Sequence, residues 1–128
     1  VIDSAPRQYL YFDGDDVGAA IELCLLEEDV PGAHLVSTRV SDGIERLAEE
    51  LRYSFRARII FAAGDEVLAV TDSEVDPTLV QRFRAKFETT TGRTVSCGIG
   101  TSAADATRQL HLAKLHGKNQ TRRGGNDA

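Results

Sequence analysis

A glycine turn carrying two adjacent carboxylates, Gly64-Asp65-Glu66, stands between two apolar runs. Ile59-Ile60-Phe61 precedes it and Val67-Leu68-Ala69-Val70 follows it. Apolar runs separated by so short a glycine-containing break read as a β-hairpin. Such a hairpin is not stable alone and needs further strands or a helix to bury its apolar face. It also holds Asp65 and Glu66 at a sheet end, where a cation can sit. A second acidic cluster, Asp13-Gly14-Asp15-Asp16, follows another compact apolar segment, Gln8 to Phe12, which reads as the first strand.

The remaining chain supplies the partners. After Asp13 comes a loop with two glycines, Gly14 and Gly18. Val17, Ile21, Cys24 and Leu25 then recur at helical spacing, which predicts a first helix to about Glu28, stopped by Pro31-Gly32. His34 to Val36 is ambiguous. Asp42 is expected to cap a second helix, whose apolar stripe is Ile44, Leu47, Ala48, Leu51 and Phe55. Its other side, with Glu45, Arg46, Glu49, Glu50 and Arg52, reads as a solvated face. Arg58–Ala62 and Val67–Thr71 are the hairpin strands. Asp76-Pro77 opens a third helix, with Leu79, Val80, Phe83 and Phe87 buried and an end near Gly92. Thr94 to Gly100 is a fourth strand, in which Gly98 and Gly100 permit close backbone approach. Ser102 with Asp105 makes a capping-box start for a fourth helix, ending at Gly117. Residues 121–128 read as a disordered polar tail, leaving one domain over residues 1–120.

The order β-α-α-β-β-α-β-α predicts an α+β, ferredoxin-like fold: a four-stranded antiparallel-type sheet with helices mainly on one face. In the strand order 4-1-3-2, the end of strand one and the hairpin turn share one edge. Asp13, Asp65 and Glu66 then converge, and the fourth helix brings Lys114 and Lys118 to the same place. Lys114 and Lys118 are spaced i, i+4 and are expected to project from one helix face. Hard cations such as magnesium take oxygen ligands, commonly one or two carboxylates plus substrate phosphates. Amides from Gly14 to Gly18, at the start of the first helix, can cradle phosphate oxygens. The combination suits metal-assisted phosphoryl or nucleotidyl transfer.

Composition narrows the classes. The 128 residues suffice for one domain with a core. A net charge of −5 argues against duplex nucleic acid as partner, since duplex binding leans on phosphate neutralisation. No apolar run approaches the roughly 20 residues that span a bilayer, and Val1 to Gln8 lacks a signal-peptide core. The two cysteines, Cys24 and Cys97, have neither zinc nor disulfide-framework spacing, so a reduced, cytoplasmic protein is expected. His34, His111 and His116 share no metal spacing with them. Each site feature has a plainer reading: Gly64-Asp65 as an ordinary turn, Asp15 and Asp16 as helix caps, the lysines as complements to a helix dipole, and Tyr9, Tyr11 and Phe12 as core.

Taken together, the motifs resemble a known family. Ala63-Gly64-Asp65-Glu66-Val67 resembles the G-G-D-E-F signature of diguanylate cyclases, and Asp13-Gly14-Asp15 resembles the D-x-D ending their first strand. Ser96 to Gly100 is similar to their S-x-G strand, and Ala113 to Asn119 to their A-K-x-x-G-R-N segment, with Lys118 in place of arginine. Small size and the Asp13 to Gly18 string resemble most the minimal CRISPR polymerase domain, a relative of the palm domain in type III CRISPR large subunits. The resemblance spans Tyr9 to Asn119. It implies a palm domain, a nucleotidyltransferase that joins nucleoside triphosphates into cyclic nucleotide signals for antiviral defence. It also implies magnesium or manganese on Asp13, the Gly14 carbonyl, Asp65 and Glu66. Glu66 would be a ligand or activate the attacking hydroxyl, and Lys114 and Lys118 would bind the triphosphate. Gly14, Asp15, Asp16, Val17, Gly18 and Gly64 would line the nucleotide site. Ile21 and Val30 stand where the cyclases read guanine with polar groups, which favours ATP over GTP. Ser37, Thr38, Arg39 and Asp42 are candidates for base or ribose contacts. Two activated nucleotides must meet, so a homodimer or higher assembly is expected. A binding module without chemistry, or a palm enzyme acting on GTP by ring opening, are the alternative readings.

Overall fold

Alternation along the first strand sets the two layers of the molecule. The computed structural model describes residues 7–125. Residues 1–6 and 126–128, where a leaderless start and the end of a polar tail are expected, lie outside the described residues. In chain order the elements are β1 (Gln8–Gly14), α1 (Val17–Leu26), α2 (Val30–Phe55), β2 (Arg58–Ala63), β3 (Glu66–Thr71), α3 (Pro77–Thr91), β4 (Val95–Gly100), α4 (Ala103–Leu115) and β5 (Thr121–Arg123). Along β1, Leu10 and Phe12 are fully buried, while Tyr9, Tyr11 and Asp13 on the other face are partly exposed.

The sheet order is β2-β3-β1-β4-β5. Its first four strands reproduce the expected 4-1-3-2 arrangement read from the other edge, and β1 pairs antiparallel with both β3 and β4. Leu10, Phe12, Val67, Ala69, Val95, Cys97 and Ile99 form the floor of the core. The stripe Ile44, Leu47, Ala48, Leu51 and Phe55 of α2 and Val80, Phe83 and Phe87 of α3 cover it, and Phe55 meets Phe83 edge-on. Helix α1 adds Val17 and Ile21 to the same cluster.

Helix α4 lies on the opposite face. In β4, Ser96, Gly98 and Gly100 alternate with the core residues and face α4. A Cβ on Gly98 would come within 2.2 Å of the Ala106 carbonyl oxygen and 2.3 Å of the Leu110 nitrogen. Glycine there lets the helix rest directly on the strand, which aims the C-terminal turn of α4 at the end of β1. Three helices therefore share one face, and the fourth carries the lysine side of the site.

Four local expectations are corrected. A fifth strand exists: Thr121–Arg123 runs parallel to β4, so the folded unit extends past residue 120 and this part of the expected tail is ordered. The Cys97 amide donates to the Gln120 carbonyl (2.9 Å) and the Gly124 amide to that of Ile99 (2.7 Å). Thr-Arg-Arg has no apolar alternation; main-chain pairing makes this strand, and the Arg123 side chain adds bonds to the Val75 carbonyl (3.3 Å) and Gln8 (3.4 Å). Pro31 does not stop α1; it sits in the first turn of α2, where its missing N–H costs nothing. Asp29, whose carboxylate accepts from the Gly32 amide (2.9 Å), caps α2, so the ambiguous segment 34–36 is helical and Asp42 is an exposed mid-helix residue. Finally, α4 ends at Leu115, and Lys118 stands beyond it with φ +66°, so the two lysines do not share a helix face.

Candidate active site

Strand register brings the acids together. Asp13 pairs with Glu66 across β1 and β3, and with Ser96 across β1 and β4. Gly64, with φ +61°, makes the hairpin turn that side chains other than glycine resist. The Gly14 amide donates to the Asp65 carbonyl at 2.9 Å, tying the turn to the end of β1. A Cβ on Gly14 would sit 3.3 Å from that of Asp65 and 2.9 Å from Val17 Cγ2, so a larger residue would push the turn away. One carboxylate oxygen each from Asp13, Asp65 and Glu66 then lie within 4.8 Å of one another.

Three hard oxygen donors at this spacing, partly exposed, fit a magnesium or manganese ion. Burial pushes the Asp13 carboxyl above its ordinary value; Lys114 opposes the shift, and the Asp65 and Glu66 charges add to it. Tyr11, two residues before Asp13 and so on the same face, donates its hydroxyl to Glu66 (3.3 Å), with its ring edge-on to Phe61. Burial, then the Glu66 charge, raises the Tyr11 pKa.

Asp15 behaves differently. It is 1% exposed, and its carboxylate accepts from the Thr94 and Ser96 hydroxyls (2.7 and 2.8 Å), the Asn119 amide (2.9 Å) and Lys114 (2.7 Å). Burial would raise its pKa, but the hydrogen bonds from Lys114, Thr94 and Ser96 hold it below the ordinary carboxylate range. Asp15 therefore lies under the site and caps no helix. Asp16 occupies the N-cap position of α1 with φ +57° and makes no side-chain cap bond; its carboxylate pairs with Lys118. The amides of Gly14 and Asp15 are engaged, the latter by the Thr94 carbonyl. Those in the first turn of α1, beginning at Val17, are the ones a helix leaves without internal partners.

Beside the acids, Val17, Gly18, Ile21, Ser37, Val40, Ser41, Gly64 and Asp65 line a cleft of about 270 Å³. Of the four polar candidates for base or ribose contact, Ser37 lines it and Thr38, Arg39 and Asp42 do not. Ser41, one turn further along α2, does. Val30 is exposed and Ile21 forms part of the wall. Sequence reasoning also missed Arg84, which is buried and donates to the Val95 carbonyl (2.9 Å), Gln81 (2.6 Å) and Asn119 (2.8 Å). An arginine inside the apolar stripe of α3 was the available signal. Arg93 was missed too; it donates to the main-chain carbonyls of Asp15 and Asp16 (3.3 and 3.4 Å).

A sheet end with clustered carboxylates, a helix N-terminus and a lysine-bearing turn defines a palm domain of the nucleotide polymerase and cyclase kind. The comparisons are consistent with that class. A Csm1–Csm4 cassette solved in complex with cA4 superimposes with a TM-score of 0.73 at 18% identity, over 93% of this chain and 21% of that one. The chain thus spans about one fifth of that neighbour's length. The GGDEF domain of DgcB from Caulobacter crescentus, solved with c-di-GMP, gives 0.63 at 14% identity over 91% and 74%. The GGDEF domain of YfiN from Pseudomonas aeruginosa gives 0.59 at 14% over 94% and 83%. No curated protein sequence matches the chain. The model of the minimal CRISPR polymerase domain matches residues 9–123, and the chain belongs to that family. Among the described residues, no helix is long and apolar enough to cross a membrane.

Proposed function

We propose that this chain is a metal-dependent nucleotidyltransferase that makes a cyclic di- or oligonucleotide from nucleoside triphosphates, with ATP favoured, as a cytoplasmic signal in antiviral defence. The observation that carries the reading is the meeting of Asp13, Asp65 and Glu66, distant in sequence, within 4.8 Å. These side chains, with the Gly14 carbonyl, would hold magnesium or manganese. Such an ion supplies charge neutralisation at the transferring phosphoryl group and its leaving pyrophosphate. The first-turn amides of α1 cradle phosphate oxygens. Glu66, which accepts a hydrogen bond from Tyr11, would hold the ion or take the proton of the attacking 3′- or 2′-hydroxyl. That oxygen bonds to the α-phosphorus, one pyrophosphate leaves per bond, and the last bond closes the ring.

The cleft at Val17, Ile21, Ser37, Val40 and Ser41 receives the base. Its apolar walls stack against a purine, and the two hydroxyls donate or accept. Among the described residues, no charged group but Asp65 lines it, which supports adenine over the guanine preference of sites equipped with more polar readers. Neighbouring structures were solved with cA4, pppApA, cA3 and one ATP, and others with c-di-GMP, which supports nucleotides as the substrate class. One chain has one such acidic cluster among the described residues, so two chains must meet to present two nucleotides.

Incubation with each triphosphate and magnesium, followed by mass spectrometry and linkage-specific nuclease digestion, tests the proposal. The expected result is pyrophosphate and a cyclic adenylate, both lost in Asp65→Ala. No product from any triphosphate contradicts it; a ring-opened base without cyclic nucleotide would point to the hydrolase reading instead.

A further inference from the structure

A groove of about 520 Å³ lies between α3 and β5, at the edge of the sheet, and shares no lining residue with the cleft beside the acids. Gln81, Arg84 and Glu88 of α3 line one side, and Asn119, Gln120 and Arg123 the other. Arg84 is 6% exposed, and arginine stays charged in proteins, so its burial has to be offset by what surrounds it. Its partners are all neutral. Nε donates to the Val95 carbonyl (2.9 Å), Nη1 to Gln81 Oε1 (2.6 Å) and Nη2 to Asn119 Oδ1 (2.8 Å). A guanidinium has five N–H donors, so these bonds leave part of its capacity unused. Arg123 likewise donates to neutral oxygens, those of the Val75 carbonyl (3.3 Å) and the Gln8 side chain (3.4 Å). Among the described residues, the arginines with a carboxylate partner are Arg7 and Arg108. The groove therefore brings together two guanidinium groups with no counter-charge in contact, in a chain whose net charge is −5. Burial lowers the Arg84 pKa, and the charges of Asp15 and Glu88 do not reverse the shift.

We propose that this groove is a further ligand site, which takes a phosphate oxyanion at Arg84 and Arg123. Guanidinium forks match phosphate oxygens, and a bond charged on both sides is among the stronger hydrogen bonds. The oxyanion supplies acceptors for the N–H groups that the fold leaves over and the counter-charge that Arg84 lacks. Glu88 is the one carboxylate in the lining, and its charge limits the anion to a phosphate or its monoester rather than a polyanion. The groove is larger than one phosphate fills, and Pro77 and Ala85 give it an apolar side, so it admits the organic part of an ester as well. Asn119, which Arg84 holds, donates its amide to Asp15 (2.9 Å), so a ligand at Arg84 stands two residues from the framework beneath the acids.

The test is an NMR titration of the chain, free of metal and nucleotide, with inorganic phosphate and separately with phenyl phosphate. Backbone amide shifts locate the ligand, which keeps this groove apart from the acidic cleft. The expected result is a saturable shift, with a Kd of about 1 mM for phosphate, centred on Gln81, Ala85, Thr121 and Arg123. Tighter binding of phenyl phosphate assigns the site to an ester, and equal affinity assigns it to the free ion. Arg123→Met, at an exposed position, is expected to keep the parental Tm and to weaken phosphate binding about tenfold. Glu88→Gln is expected to tighten it about threefold, an effect that a purely structural Glu88 does not produce. The proposal is overturned by the absence of a saturable shift up to about 50 mM phosphate. Shifts confined to Lys118 and the first turn of α1 overturn it too, as does a folded Arg123→Met protein that binds phosphate as the parent does.

Discussion

Asp13 and Asp15 sit two residues apart at the end of one strand and do opposite work. Asp13 belongs to the hairpin end of the molecule, where three carboxylates face one another, partly exposed, and one is pushed toward protonation. Asp15 belongs to the β4–α4 end, where a carboxylate is buried and every acceptor site is matched by a donor. One end keeps ligand capacity open; the other is closed by its own hydrogen bonds. The pattern teaches that an acidic string is not a single feature. Where the strand ends and which element packs against each acid decide which acids face a cation and which hold the framework that presents them.

The hairpin end breaks first in function. Asp65→Asn is expected to weaken manganese binding at least about a hundredfold and to abolish product, with little change in folding, measured by titration and melting. A variant that binds manganese as the parent does would place the ion elsewhere.

The framework end breaks in stability. Asp15→Asn is expected to cost about 3 kcal/mol at pH 7 by denaturant titration, because Lys114 keeps its charge and loses its buried partner. The two acids differ in sign with pH. Asp15 has a lowered pKa, so its stabilisation is present above the unfolded value and is lost as pH falls through the folded one. Asp13 has a raised pKa, so its contribution is present in acid and is lost as pH rises through its folded value. Without metal, Asp13→Asn is therefore expected to be more stable than the parent at pH 7 and Asp15→Asn less. Both gaps narrow as pH falls through the carboxylate range. Gaps of the same sign would erase the distinction between the two ends.

Smaller effects sharpen the comparison. Gly98→Ala is expected to cost about 2 kcal/mol by forcing α4 off β4, with a parallel loss of activity as Lys114 moves. Ser41→Ala is expected to leave stability unchanged and to weaken binding of the preferred triphosphate about fivefold, the worth of one hydrogen bond. Equal loss for ATP and GTP would take base recognition away from Ser41.

Much of this was legible in the residues. The turn at Gly64 and the burial of the α2 stripe follow from local periodicity and glycine chemistry, and the meeting of Asp13 with the hairpin acids followed from strand order. The approach of Lys114 followed from strand order. What escaped had long-range causes. Asp15 looks like a helix cap in sequence, and only the approach of Thr94, Ser96 and Asn119 makes it a buried hub. Pro31 reads equally as a stop or as a first-turn residue; the Asp29 cap decides for the latter. The fifth strand has no side-chain signal because it is held by main-chain bonds to β4. Ser41 was hidden among polar residues of a helix whose exposed and cleft-lining positions differ by a single step.

The most direct test of the account is anomalous scattering from a crystal grown with manganese and a non-hydrolysable ATP analogue. The account predicts a peak bounded by Asp13, Asp65 and Glu66, with the analogue's phosphates on it and its base beside Ser37 and Ser41. A nucleotide bound in that cleft with no manganese at those carboxylates, or manganese bound elsewhere, would contradict it.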